Sequence, residues 1–287
     1  MSKKKYKKSS LARRNMHKFL ANRLAMLGLV LLIVVIVLSV AAPVFTKHDP
    51  AFNDATIRYQ APSSEHILGT DSIGRDLWAR LIYGGRFSLI IGIASAIGTS
   101  LIGVILGCVS GYYGGKVDAV IVYISEIFYS FPQLLLVLIL VGFAGRGWVN
   151  LILIFSLTGW IFGFRIVRSK ILSLREETFV DACRANGIGG LSIMFRHMLP
   201  NTLGPVIVNL TLSTAGFVLN EAALSFIGLG VEAHIPTWGN MINAAKSFVV
   251  LQNYPVVWIA PGIAISLFVL GINFFGDGLR DVYDPGQ

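Results

Sequence analysis

Residues 181–200 read "DACRANGIGGLSIMFRHMLP": one carboxylate, two arginines, a histidine, three glycines and a closing proline, set between long apolar blocks. A helix spanning hydrocarbon does not hold this mixture, because each uncompensated charge at the bilayer centre costs on the order of a few kcal/mol. The stretch therefore separates segments that can cross a bilayer from segments that cannot. Around it, apolar runs long enough for about 30 Å of hydrocarbon fall at 24–45, 87–110, 118–142, 149–167, 203–229 and 255–275. The expected fold is an all-α polytopic membrane protein with about six transmembrane helices. The expected organisation is a basic cytoplasmic tail (1–23), a first transmembrane helix (24–45) and an extracytoplasmic loop (46–86). A five-helix core (87–275) follows, with the polar loop 176–200 inside it, and then a cytoplasmic tail (276–287).

Composition agrees. Apolar residues make up 54% of the chain and charged residues only 14%, against roughly 25% charged in ordinary soluble domains. The net charge of +9 equals the nine Lys and Arg of residues 1–23, so the rest of the chain balances to zero. A basic tail directly before an apolar run reads as a cytoplasmic anchor facing anionic lipid. Nucleic-acid binding is the weaker reading, since no fold of that kind follows the tail. The first run, Leu24 to Phe45, exceeds the roughly 7–15 residues of a secretory h-region, so it reads as a retained helix despite the cleavage-like "SVAAP". With the N-terminus inside, seventeen Lys and Arg fall on the cytoplasmic side and seven outside. That places both termini and residues 181–200 in the cytoplasm. Trp148, Trp160, Trp238 and Trp258 are expected at span ends or in outer loops, as interfacial rings. Gly92, Ser95, Ala96, Thr99 and Gly103 put small residues along the second span, which suits close packing inside a bundle.

Motifs for covalent chemistry are absent. "GYYGGKVD" (111–118) fails the GxxxxGK[ST] spacing and has Val117 where a magnesium-binding hydroxyl belongs, so it reads as a turn. The five histidines form no i, i+4 pair, no HExxH and no metal set, and there is no GxSxG. Cys108 and Cys183 form neither a disulfide framework nor a CxxC site. No catalytic residue, cofactor or metal is expected in this chain. Polar residues inside the spans are more informative. Tyr123, Glu126, Ser130 and Gln133 follow helical spacing as one stripe of the third span, with Pro132 placed to kink it. An ionisable group such as Glu126 should face the bundle interior or water. Asn209, Ser213, Gly216 and Asn220 share a face of the fifth span, beside Glu221. These residues fit either a hydrated translocation path or interhelical hydrogen bonds. The two stay open for Glu126, and the second is preferred for Glu221.

Within the polar loop, 176–186 reads as one helix. Gly187, Gly189 and Gly190 break it, and a second helix runs from about Leu191 to Met198, stopped by Pro200. Phe179, Ala182, Cys183 and Ala185, then Leu191, Met194, Phe195 and Met198, give both segments apolar faces. Such a bent pair suits docking into a groove on another cytoplasmic protein. Three acids and three bases between Arg175 and Arg196 argue against a basic helix lying flat on lipid.

The same residues resemble a known family. The pattern E-A-A, three residues, Gly, nine residues, I-x-L-P resembles the signature loop of permease subunits of ATP-binding-cassette importers. Here it falls on Asp181, Ala182 and Cys183, on Gly187, and on His197, Leu199 and Pro200. Asp replaces Glu, Cys replaces Ala, and His stands where the broad consensus has Ile. "HILGTDSIGRDLWARLIYGGRFSL" (66–89), "FPQLLL" (131–136), "NEAALSFIGLGVEAHIPTWGNMI" (220–242) and "PGIAISLFVLGINFFGDGLRDVYDP" (261–285) are similar to the dipeptide/oligopeptide/nickel permeases, in their shorter, second-permease form. That family usually has Asp where Glu126 stands. The resemblance implies a type I importer fold, with 181–200 as the coupling helix seated in an ATPase cleft. It also implies a homologous permease, two ATPase subunits that bind ATP and magnesium, an extracytoplasmic binding protein, and a bacterial inner-membrane location. Peptide is the expected cargo and a nickel chelate the alternative. An ion-coupled transporter or channel using Glu126, or an anchor without transport, are the rivals from other classes.

Overall fold

The computed structural model describes residue 16 and residues 18–283. Most of the basic tail and the last four residues therefore lie outside the described residues. Five helical segments are long and apolar enough to cross a membrane, and one bent pair makes a sixth. Among the described residues the only β pairing is an isolated bridge between Thr70 and Asp76.

The helices are α1 (Arg23–Val40), α2 (Leu77–Tyr113), α3 (Gly115–Tyr129), α4 (Gln133–Ala144), α5 (Trp148–Thr158), α6 (Ile161–Arg175), α7 (Thr178–Ala185), α8 (Leu203–Ile227), α9 (Trp238–Asn243), α10 (Phe248–Asn253) and α11 (Val256–Tyr283). At 37 residues α2 is the axis of the bundle, with α5, α6 and α8 packed along it. It begins ten residues before the expected start of the second span. The Asp76 side chain caps it, accepting from Ala79 N at 2.6 Å. Its two early arginines have internal partners, which is why charge alone misplaces the boundary. Arg80 is 2% exposed and donates to the Pro50 carbonyl at 3.1 Å. Arg86 donates to the carbonyls of Ser39 and Val40 at 2.7 and 2.6 Å, closing the end of α1.

The expected small-residue face of α2 is buried, and it continues through Gly107 and Gly111. A Cβ on Gly92 would lie 2.5 Å from Val218 of α8. On Gly103 it would lie 2.9 Å from the Phe164 nitrogen, on Gly107 3.0 Å from the Phe164 carbonyl, and on Gly111 3.0 Å from the Arg168 carbonyl. The glycines at 103, 107 and 111 are one turn apart, so α2 and α6 touch backbone to backbone over two turns. The first helix meets α11 in a similar way, through Ala25 and Gly28 against Gly271 and Gly278. The rest of α1 is an exposed belt of Leu, Val and Ile that suits lipid.

Three expectations about the spans need correction. The third span is not one helix: α3 and α4 meet at 87°. Pro132 cannot donate to the ladder and drives Phe131 out of helical conformation, so the chain turns there and a simple kink is not enough. Pro200 does not stop the second loop segment. It sits at the start of a tight turn (Leu199–Thr202) through which the chain stays helical into α8. The turn before it, Ile193–Met198, is widened into a π-type turn in which Leu199 N bonds the Met194 carbonyl, and such a bulge accommodates the N–H that a proline lacks. Trp160 and Trp238 are core residues, 5% and 2% exposed, where interfacial rings were expected. The Trp238 indole donates to the Leu81 carbonyl at 2.9 Å.

Gly107→Leu should cost about 3 kcal/mol or more by forcing α2 and α6 apart, and Gly142→Ala, with nothing near its added Cβ, should leave the fold intact. Thermal unfolding of the purified protein in detergent, followed by gel filtration, separates the two outcomes.

Candidate functional site

Three polar regions need an account: the loop after α6, a cleft beside it, and two buried or half-buried carboxylates.

The loop has two faces. Val180, Ile193, Met194 and Met198 are fully buried and pack with Cys108 of α2 and Val167 and Ile171 of α6. Gly187 adopts φ +73° and reverses the chain between the two segments, and Gly190 approaches the Tyr112 ring, within 3.0 Å of where a Cβ would lie. The inner side of the loop is thus cemented to the Tyr113 end of α2. The outer side is open. Asp181, Ala182, Gly187 and Pro200 are exposed, and Cys183, His197 and Leu199 are partly buried. Phe179, Leu191 and Phe195 remain 37%, 65% and 38% exposed. Asp181 pairs with Arg184 at 3.0 Å, an exposed i, i+3 contact of about 0.3–0.5 kcal/mol. The loop thus has a buried underside and an outer face that carries exposed apolar side chains.

Beside it lies a cleft of about 640 Å³ between α6, α8 and the end of α11. Phe162, Ile166 and Lys170 line one wall, Asn209 and Ser213 the second, and Arg280 stands at the end of α11. The two polar residues of α8 therefore face open space. Asn220 does not line that cleft.

The two glutamates separate. Glu221 is fully buried: Ser225 Oγ donates to its Oε1 at 2.7 Å and Ser88 Oγ to its Oε2 at 3.4 Å. Ser88 in turn accepts from Trp238 N at 3.2 Å, so the carboxylate ties α2, α8 and α9 together. Glu126 is more than half exposed and bonds to Arg165 at 2.9 Å, whose guanidinium lies 4.3 Å above the Tyr129 ring. The bend removes Gln133 from the stripe. Ser130 returns its hydroxyl to the Glu126 carbonyl at 2.7 Å, ending α3, and Gln133 starts α4 in a new direction, exposed.

Sequence reading missed Asp118 and Arg168. Arg168 grips Asp118 with two hydrogen bonds, at 2.5 and 2.6 Å, and Ser110 donates to the same carboxylate. This bidentate pair pins α3 to α2 and α6 where the chain turns at Gly114 and Gly115. The signal was available: a carboxylate in the first turn after a double glycine, and an arginine midway in a basic helix.

The molecule is an all-helical bundle with a polar loop at one end and a cleft between its helices. Residues 103–287 match the family described as binding-protein-dependent transport system inner membrane component, and residues 10–62 match the N-terminal TM domain of oligopeptide transport permease C. The chain is 41% identical over 265 residues to the dipeptide transport system permease protein DppC of Alkalihalophilus pseudofirmus, covering 92% of this chain and 86% of that one. It is 37% identical over 279 residues to the oligopeptide transport system permease protein OppC of Bacillus subtilis, covering 97% and 91%. Among solved structures, the inward-facing MetNI methionine ABC transporter aligns with a TM-score of 0.56 at 20% identity, over 70% of this chain and 95% of that one, a likeness of fold. The chain belongs to the binding-protein-dependent transport system inner membrane component family.

Glu221→Ala should lower stability by about 2–5 kcal/mol, since it opens a void and strands two hydroxyls. The checks are the melting temperature and membrane abundance. A transport defect at unchanged melting temperature would instead put Glu221 on the path.

Proposed function

We propose that this chain is the membrane-spanning subunit through which an ATP-driven importer moves di- and oligopeptides into the cytoplasm. Family membership supplies the importer role, and the peptide permeases among its relatives support the cargo over a nickel chelate. The observation that matters most is the loop with a cemented underside and an open apolar face. In this reading Asp181, Ala182, Cys183, Gly187, His197, Leu199 and Pro200 form the coupling element, seated on an ATPase subunit. A second permease, a second ATPase and an extracytoplasmic binding protein complete the assembly. Magnesium and ATP belong to the ATPases.

Orientation follows from the charge bias: N-terminus, loop and C-terminus on the cytoplasmic side. The structure is compatible with alternating access driven through 176–200. Because the underside of the loop is packed on α2 and α6, a displacement of the docking face moves this closely packed helix pair with it. Only a difference in affinity between states can shift such an equilibrium, so the element must bind closed ATPases differently from open ones. Asn209 and Ser213 line the path where α8 faces the cleft, and Glu126, Ser130 and Gln133 contribute an exposed polar surface on α3 and α4. Glu221 and Asn220 brace the helices.

Asp181→Arg reverses a charge on the docking face, and Gly187→Pro forbids the positive φ of the turn. Each should abolish copurification of the ATPases and peptide-stimulated hydrolysis while the chain itself stays folded in detergent. Complexes that keep both ATPases and full stimulation would overturn the coupling assignment. Uptake that survives loss of ATP would overturn the importer reading in favour of an ion-coupled carrier.

A further inference from the structure

At the Leu77 end of α2, roughly 55 Å from Tyr113 by helix rise, three ligand-type side chains meet. His48 follows the end of the first helical segment, His66 lies in the loop, and Asp76 caps α2. One ligand atom from each lies within 4.8 Å of the others. His66 Nδ1 and Asp76 Oδ2 are 2.8 Å apart, and both residues are buried. The His48 and His66 rings lie 4.8 Å apart and tilted by 34°.

Charge bookkeeping singles out Asp76. The neighbouring carboxylate, Asp71, takes Arg75 at 2.7 Å and Arg80 at 4.0 Å. Among the described residues, Asp76 pairs with no arginine or lysine and has only His66 as an ionic partner. Its two oxygens are divided, with Oδ1 capping α2 through Ala79 N and Oδ2 facing His66. A buried carboxylate needs hydrogen-bond donors or a cation, and Asp76 Oδ2 faces only an imidazole nitrogen. His48 is already arranged as a ligand: its Nε2 donates to the Glu65 carbonyl at 2.9 Å, which leaves the Nδ1 lone pair free. Metal-bound imidazoles have this outer-shell bond as a rule.

We propose that His48, His66 and Asp76 form a binding site for a divalent transition-metal ion of the zinc type. The ion takes the place of the proton between His66 Nδ1 and Asp76 Oδ2, and His48 supplies the third ligand. Tetrahedral bonds of about 2.0–2.1 Å need donor atoms roughly 3.3 Å apart, so the site closes with shifts of about 1 Å. Half-exposed His48 leaves the fourth position open to water. Two imidazoles and one carboxylate select zinc, nickel or copper over calcium and magnesium, which take oxygen ligands. The ion staples the 46–76 segment to the start of α2, at the end of the molecule opposite the coupling loop.

The test uses the assembled transporter purified with a tag that contains no histidine and stripped with EDTA. Zinc is titrated against a chromophoric chelator, in wild type and in His48→Ala, which retains the His66–Asp76 pair and the cap. Wild type should take up one more equivalent than the variant, with micromolar or tighter affinity. That equivalent should weaken at least about tenfold in a second variant, Asp76→Asn, whose side-chain oxygen still caps α2. Zinc should raise the melting temperature of wild type and not of His48→Ala, and cobalt should give a tetrahedral absorption band only in wild type. Equal zinc uptake by wild type and His48→Ala, or no uptake by either, overturns the site whether or not peptide transport is retained.

Discussion

The structure depends on how closely α2 can approach α6. Lipid tails give little hydrophobic reward for bringing two helices together, so contact must come from van der Waals packing and weak backbone interactions at short range. Gly103, Gly107 and Gly111 provide that range by removing every side chain from one face of α2. Much of the rest follows from this contact. The α6 helix is held in register, so its Arg168 reaches Asp118 and its Ile171 reaches the underside of the 176–200 loop. The loop is rigid because the helices beneath it are locked backbone to backbone. Side-chain interdigitation would leave them freer to slide.

The loop at 176–200 shows why exposed and buried apolar residues must be distinguished in space. Periodicity assigned Phe179, Leu191, Met194, Phe195 and Met198 to one apolar character. In the fold they serve opposite purposes: Met194 and Met198 hold the element down, and Phe179, Leu191 and Phe195 present it. Which side is which depends on where the ends of α2 and α6 lie, information that is not local to residues 176–200.

The span count, the small-residue face and the loop were legible because each rests on composition or short-range periodicity. The misreadings came where two local rules competed. Arg80 and Arg86 read as loop charges, but internal carbonyls and Asp71 satisfy them and the helix starts earlier. Pro132 and Pro200 look alike in sequence. One turns the chain by 87°, the other follows a widened π-type turn (Ile193–Met198) and leaves the chain helical. The geometry of the turn before each proline, which local sequence does not fix, decides between them. Asp118 and Arg168 are fifty residues apart and meet only because α2 and α6 are in contact.

Two glutamates in one oily chain make the same point about polar groups. Glu221 can be buried because two serine hydroxyls and the start of α9 converge on it, and a carboxylate so enclosed adds a polar tie to helices already packed at Gly92 and Val218. Glu126 has one arginine and an open side, which is tolerable in a membrane only where water or a partner protein replaces lipid. Its exposure in a single subunit is therefore evidence about what lies beyond that subunit. Glu126, Tyr129 and Arg165 form one exposed polar cluster where α3 meets α6, just before the chain bends by 87° into α4.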